Sequence, residues 1–515
     1  MSLSSLRYFA LLPLTAVMFY LVPPKLQNLV LFFSSILFLS FALPTGTQWF
    51  VPFVTLGAVT LFIFFIAKQL PKSNHKKALL IFGIGGCIGL LANFKYYNAV
   101  LPLLFGADIF QLGAEKLALP LGISFYSFAS IGYLVDVYRG DILPETSLLR
   151  FSVFTGFFAT ISSGPICRGS SLLPQLQKTH HFDATRTGQA LRLFALGLFK
   201  KVAVSDVLAL YINQVFEHYS QRGGLSLLLG AIGYSFVLYF DFCGYSEMAR
   251  ASALLLDIQI PENFKTPYFA TNFSGFWNRW HISLSSWLQD YLFMPLVWGR
   301  WTSYLPMIGK KINNPPMISS VAIVFLVSGF WHGSTWPFVM WGILQACYRV
   351  GEELLHRFYG KPKKNPSFAL IAFKRTCVFL LWSASLVFFK MGSATTSNGV
   401  PFSVTDGFHY LVGIFSQLSP QRFIQEFLLD IQQGFYAKPI MVIGWILFVS
   451  ATLCFALWLD WIRNKQKNKG IELVIATQSP RLKWSIDYAL MIGILIGLII
   501  QNGGMNAQGF AYANF

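Results

Sequence analysis

Three clusters of reactive side chains stand inside apolar stretches of this 515-residue chain. The last runs Gly329-Phe330-Trp331-His332-Gly333-Ser334-Thr335-Trp336-Pro337 and on to Gly342. A neutral imidazole takes the proton from an attacking hydroxyl and returns it to the leaving group. His332 therefore has the chemistry for acyl transfer from a thioester. Glycine lets backbone or ligand approach closely, and Pro337 leaves a carbonyl without its helical donor. A broken helix at bilayer depth persists only where it is packed in protein or lines a cavity. A lone buried histidine is most often structural, but this Gly/Pro break favours function. No serine or cysteine nearby has the spacing of a nucleophile elbow.

The second cluster runs from Phe276 to Tyr291 and contains Trp277, Asn278, Arg279, Trp280, His281, Trp287, Gln289 and Asp290. It is too rich in Trp, Arg and His for an ordinary spanning helix and suits an interfacial or re-entrant segment. Arg279 and His281 have the chemistry to bind phosphate, or to reach lipid headgroups. The first cluster, Tyr239 to Arg250, sets Asp241, Glu247 and Arg250 midway in a long apolar run. Glu247 and Arg250 can pair at i,i+3, whereas Asp241 and Arg250 are too far apart on one helix. Such residues either line a site or pin a broken helix, and intramembrane charge defaults to a functional hypothesis.

These residues need elements to hold them, and composition decides which. Hydrophobic residues make up 55% and charged residues 12%, about half the share of a soluble domain, with 52 Phe. So few charges cannot cover a water-facing surface, which excludes a soluble enzyme. Long apolar runs without a short repeat exclude a disordered or fibrous chain. The fold class expected is an all-α polytopic membrane protein. Apolar runs fall near 6–22, 26–43, 49–70, 78–105, 117–137, 149–166, 187–212, 225–256, 317–350, 370–390, 437–461 and 484–501. They give about 11–13 transmembrane or re-entrant helices. The first resembles a signal-peptide core but lacks a small-residue cleavage site, so it is expected to stay.

Lys+Arg number 39 and Asp+Glu 21, a net charge of +18. In a membrane protein, basic loops facing anionic lipid account for this, and no nucleic acid is expected. The basic loops are Lys72 with Lys76 and Lys77; Arg357, Lys361, Lys363, Lys364, Lys374 and Arg375; and Arg463, Lys465, Lys467 and Lys469, followed by Arg481 and Lys483. Placing them in the cytoplasm sends 484–501 outward and the tail after Gln501 to the outer face. The polar stretch 391–436 fits an outer loop with amphipathic helices. Six separated cysteines without a C-x-x-C suggest neither a disulfide framework nor a zinc site. Cys167 alone lies in a polar stretch, where a lone thiol is more often structural. No segment is long enough to fold as a soluble domain, so 1–515 reads as a single membrane domain. Residues alone leave two functions open: an enzyme, or a transporter with a proton-relay histidine.

Several blocks, in order, resemble the membrane-bound O-acyltransferase (MBOAT) family and its alginate O-acetyltransferase branch. They are Leu119–Tyr126 with Tyr133–Arg139, Ser163-Gly164-Pro165-Ile166, Gly197–Val202, Tyr239–Ser246 with Pro261–Phe264, Phe276–Leu284 and Gly329–Gly342. They cover a core of about 117–350, followed by a 351–515 extension. The resemblance implies a fold of helices around a central tunnel between a cytoplasmic donor and an outer acceptor. It implies that His332 is the catalytic histidine and His281 its second, supporting histidine. It carries Asp241, Arg279, Asp290, Trp331 and Asn278 over as tunnel or substrate-binding residues. Asn278 and Gln289 stand where the branch often has Arg, and Gln345-Ala346 replaces a frequent Leu-His pair.

The chain ends Phe510-Ala511-Tyr512-Ala513-Asn514-Phe515. This is similar to the aromatic C-terminal motif of acyl-export systems, which implies that Tyr512 carries the acyl group. The bland alternative is an aromatic membrane anchor. The resemblance further implies acetyl-CoA as the donor, no metal and no tightly bound cofactor. It implies a bacterial inner-membrane location and a periplasmic or extracellular partner transferase acting on a polysaccharide, peptidoglycan or an exopolysaccharide among them. The competing expectations are D-alanine or other acyl export of the teichoic-acid D-alanylation type, a long-chain lipid- or protein-acylating member, and a proton-coupled transporter. The long extension favours the acetyltransferase branch. Inverted repeats would favour transport, and none is visible.

Overall fold

A computed structural model describes residues 3–41, 48–105, 119–298, 315–359, 367–395, 400–434, 439–467 and 469–502. The described chain is helical, and no strand occurs among those residues. The first seven helices are α1 (Leu6–Leu21), α2 (Gln27–Ser40), α3 (Val51–Gln69), α4 (Lys76–Phe105), α5 (Ile123–Arg139), α6 (Leu148–Gly156) and α7 (Gly169–Leu176). Next come α8 (Ala184–Phe199), α9 (Val207–Glu217), α10 (Gly224–Leu255), α11 (Phe273–Trp277), α12 (Ile282–Leu288) and α13 (Met294–Trp298). The last eight are α14 (Pro315–His332), α15 (Trp336–Tyr359), α16 (Phe368–Gly392), α17 (Val404–Gly413), α18 (Pro420–Gly434), α19 (Pro439–Lys465), α20 (Ile471–Ala476) and α21 (Pro480–Asn502). Tyr512 with the rest of the aromatic tail, and Lys361, Lys363 and Lys364, lie outside the described residues.

Six of these helices have the length and apolar composition to cross a bilayer: Val51–Lys72, Lys76–Asn98, Gly224–Leu255, Phe368–Gly392, Ile443–Lys465 and Pro480–Gln501. Three shorter apolar helices, Leu6–Leu21, Pro24–Ser40 and Met317–His332, join them. The about 11–13 passes expected from sequence include partial and re-entrant segments. An all-α membrane architecture is what the apolar runs require, since a lipid-facing helix satisfies its own backbone.

The chain packs as two compact units, one from Met1–Phe194 with Tyr245–Glu262, the other from Ala195–Gly244 with Asn263–Phe515. The sequence reads as one membrane domain; by packing, both histidine blocks and the extension fall in the second unit. In the first unit, Ser5 caps α1 by accepting from the Tyr8 amide, and Pro23-Pro24 follow its end. Polar pairs join the helices. Thr15 donates to Ser34 at 2.9 Å, and Thr60 and Thr155 are 2.8 Å apart. Gly122 opens α5 at φ 75°, where a Cβ would collide with the Ile161 carbonyl oxygen, so only glycine fits. Glu145 is buried and accepts from Arg150 at 2.7 Å and from the amides of Thr146 and Ser147, both at 2.8 Å. Burial raises its carboxyl, but those donors outweigh it and hold the group below its ordinary 4.5. Burial pushes the Cys167 thiol up to about 12, which fits a structural rather than a nucleophilic cysteine.

In the second unit, a π-helical turn at Lys200–Asp206 separates α8 from α9, and another at Gln289–Phe293 follows α12. The amphipathic pair α17 and α18 fills the polar stretch before α19. Ser403 and Asp406 form a reciprocal capping box at the start of α17.

Candidate active site

The site is built on the α14–α15 hairpin. α14 ends at His332, and α15 begins four residues later at Trp336. The helices approach through glycine: a Cβ on Gly329 would lie 2.7 Å from the Phe338 carbonyl oxygen and 3.2 Å from Gly342 Cα. Small residues at such a crossing let backbones pack closely. The hairpin turn is tied to α16 by Thr335, whose hydroxyl donates to the Gly392 carbonyl at 3.0 Å. His332 is 4% exposed and ringed by aromatics. Its ring centroid is 4.7 Å from Trp331, 5.0 Å from Trp341 and 4.9 Å from Phe389.

His281 is held differently. It precedes α12 with φ 43° and ψ 53°, a left-handed conformation rarely taken by a non-glycine residue. Such strain costs about 1–3 kcal/mol and persists only where its surroundings over-determine it. Asn263 supplies that restraint. Its carbonyl accepts from the Ile282 amide at 2.9 Å, and its side-chain oxygen accepts from the Ser283 amide at 3.2 Å. The neighbouring Lys265 amide donates to the Arg279 carbonyl at 3.0 Å. The His281 ring packs edge-on against Phe242 with centroids 4.7 Å apart. Burial pushes its imidazole down to about 3, so it is neutral across the physiological range.

His281 and His332 line one cavity of about 340 Å³, together with Trp277, Asn278, Gln289, Trp341 and apolar side chains of α14 and α16. The two blocks are separate motifs in the sequence, and the fold brings them together. The other expected residues take other places. Asp241 is not among the lining residues; it is 1% exposed, with Lys201 Nζ 2.7 Å from its carboxylate. Arg279 is half-buried and donates to Asn464 at 3.3 Å. Burial, then the nearby Arg375, pulls its guanidinium below the usual value. Asp290 is exposed on the π-turn after α12. Trp331 is buried against the His332 ring without lining the cavity.

Among the lining residues that the sequence does not single out are Ser328, Arg349, Trp382 and Phe389. Ser328 is four residues before His332, and Arg349 eight after Trp341, so helical spacing alone puts each on the relevant face. Arg349 is the only permanently charged group among the described lining residues. It is held 3.2 Å from Glu352, which also accepts from the Phe273 and Ser274 amides at the start of α11. Trp382 and Phe389 belong to α16, and no sequence signal ties that helix to the histidines.

Comparison with known proteins supplies the family. The profile of the membrane-bound O-acyltransferase family matches residues 142–391. A probable alginate O-acetylase of Pseudomonas putida is 31% identical over 78% of this chain and 80% of its own. The peptidoglycan O-acetyltransferase of Helicobacter pylori is 30% identical over 65% of this chain and 67% of its own. The teichoic acid D-alanyltransferase of Bacillus subtilis is 32% identical over 48% of this chain and 62% of its own. The chain therefore belongs to the membrane-bound O-acyltransferase family and is an integral membrane O-acyltransferase.

Proposed function

We propose that this enzyme moves acetyl groups from cytoplasmic acetyl-CoA across a bacterial inner membrane, for O-acetylation of a periplasmic or cell-surface polysaccharide by a partner transferase. The observation that carries the reading is the shared cavity. A buried, aromatic-ringed His332 and a neutral His281 line one space of about 340 Å³. That is the low end of small-molecule pockets, which favours a short acyl group.

In this reading His332 accepts the Tyr512 hydroxyl proton as the phenolic oxygen attacks the thioester carbonyl. The tetrahedral intermediate collapses with cleavage of the C–S bond. The imidazolium returns its proton to the thiolate, releasing CoA and leaving acetyl-Tyr512. His332 ends α14, where the helix dipole favours the transient positive charge. Buried and neutral, His281 supports the cavity wall as a positioning group. Arg349 faces the donor's anionic portion. Acetyl-Tyr512 then gives its acetyl to the partner, whose acceptor is a sugar hydroxyl. A phenol of pKa near 10 makes an ester more activated than a serine ester.

The test is intact mass after incubation with isotope-labelled acetyl-CoA. Wild type should gain one acetyl, mapped to Tyr512. His332→Ala should release CoA at least about 100-fold more slowly, the usual scale of a lost general base. CoA release without a stable adduct would replace the tyrosine carrier by direct transfer. No CoA release with any acceptor would remove acetyl-CoA as donor. The D-alanyltransferase relative gives the second reading, export of an aminoacyl group; labelling from a D-alanyl-charged carrier protein instead of acetyl-CoA would establish it.

A further inference from the structure

The last described helix carries one polar residue in an otherwise small-and-apolar contact face, and that residue ends in a buried charge network. Gly493, Gly497 and Gln501 follow one another at four-residue spacing on α21. A Cβ on Gly497 would meet the Val202 carbonyl oxygen at 2.9 Å and Ala203 Cα at 3.0 Å, and one on Gly493 would meet the Phe199 ring. So α21 lies directly against the π-helical turn Lys200–Asp206. Gln501 is buried, and its amide nitrogen donates to the Val202 carbonyl at 3.0 Å and to the Asp206 carboxylate at 3.4 Å. The other Asp206 oxygen takes Lys201 at 2.6 Å, and Lys201 Nζ also lies 2.7 Å from Asp241 on α10. From α19, Thr452 donates to the Ala203 carbonyl at 3.3 Å.

A glycine-faced apolar helix slides easily past its neighbour. A single buried polar residue fixes register, because displacement by one turn, about 5.4 Å, would strand it. We infer that Gln501, through Asp206, Lys201 and Asp241, is a positioning residue that locks the depth of α21 and thereby sets where the C-terminal tail starts. The functional consequence rests on the tyrosine-relay reading above. Tyr512 is eleven residues beyond Gln501, so its hydroxyl is tethered within roughly 40 Å of that anchor. Effective concentration falls as about the −3/2 power of tether length. Freeing the last one or two turns of α21 would lengthen the tether by about half and dilute the tyrosine accordingly.

The experiment uses the full-length protein in nanodiscs, comparing wild type, Gln501→Ala and Thr452→Val. Two readouts are taken: the kinetics of tail acetylation from acetyl-CoA, and hydrogen exchange of α21 amides. Gln501→Ala should lower the maximal single-turnover rate two- to fivefold with KM for acetyl-CoA unchanged, and raise exchange at 497–502 at least tenfold. A synthetic peptide of residues 503–515 at millimolar concentration should restore its rate of CoA release. Thr452→Val removes a donor to the same turn and should keep the wild-type tail rate. A raised KM, a rate the peptide does not restore, or the same kinetic loss in Thr452→Val would make the network merely structural and overturn the inference. Wild-type exchange in Gln501→Ala would overturn it as well. Failure of the relay shows separately, as full activity in Tyr512→Phe; the exchange of α21 then decides alone whether Gln501 anchors the helix.

Discussion

Lys201 lies between two carboxylates, Asp206 at 2.6 Å and Asp241 at 2.7 Å, all three buried. Charges at this depth are tolerated because they neutralise one another. Removing one partner strands the others. Lys201→Met should therefore cost about 3–5 kcal/mol, and Lys201→Met with Asp241→Asn should recover part of that loss. Thermal unfolding in detergent checks both; an additive double variant would deny the coupling. Glu145 offers a test by pH. Its carboxyl is held below its ordinary 4.5, so the folded state binds the proton less readily than the unfolded state. Its contribution is fully present above about pH 4.5 and is lost as pH falls through the depressed value. Glu145→Gln should lower stability at pH 7 by about 1.5–3 kcal/mol, the scale for hydrogen bonds to a charged group, and shrink the gap to wild type on acidification. A gap that is constant from pH 7 to pH 3 would contradict the assignment.

Among elements, the α14–α15 hairpin decides whether His332 faces the cavity. At its crossing Gly329 meets the Phe338 carbonyl and Gly342, with no room for a side chain. A Cβ on Gly351, later on α15, would meet only open space. Gly329→Ala should thus cost about 1–3 kcal/mol and reduce acyl transfer, whereas Gly351→Ala should retain stability and activity. Melting temperature and CoA release distinguish them; equal tolerance at both positions would mean that the hairpin crossing does not set the site. The His281 turn works by a different device. A left-handed residue is fixed by two hydrogen bonds that Asn263, eighteen residues earlier, accepts from the amides of Ile282 and Ser283. The block containing Asn263 is legible as a motif, but its role as a clamp is not, since nothing in the sequence reveals a positive φ at a histidine.

For the whole molecule, the proposed export depends on the sidedness of the chain. The positive-inside rule predicts Lys72, Lys76 and Lys77 in the cytoplasm and the tail outside. A single cysteine introduced at Ala513 should react with a membrane-impermeant maleimide added to spheroplasts, and one at Ser73 only after lysis. The reverse pattern would invert the topology and remove the outward relay.

Composition and pattern along the chain are enough to establish its solvent and to single out the side chains able to do chemistry. With 12% charged residues and long apolar runs, the chain has no soluble fold available to it. Two histidines in Trp- and Gly-rich interruptions are costly in lipid unless used or packed. These properties are local, summed along the chain, and so can be read without coordinates. Which of the polar residues meet is settled only by packing. His281 and His332 share a cavity although fifty-one residues separate them, while Asp241, equally prominent in sequence, turns to Lys201. Arg349 and Trp382 join the cavity through helix spacing and the packing of α15 and α16. An ion pair or a cavity wall depends on distances between elements, and a period of 3.6 residues fixes only which face a side chain takes, not which helix that face will meet.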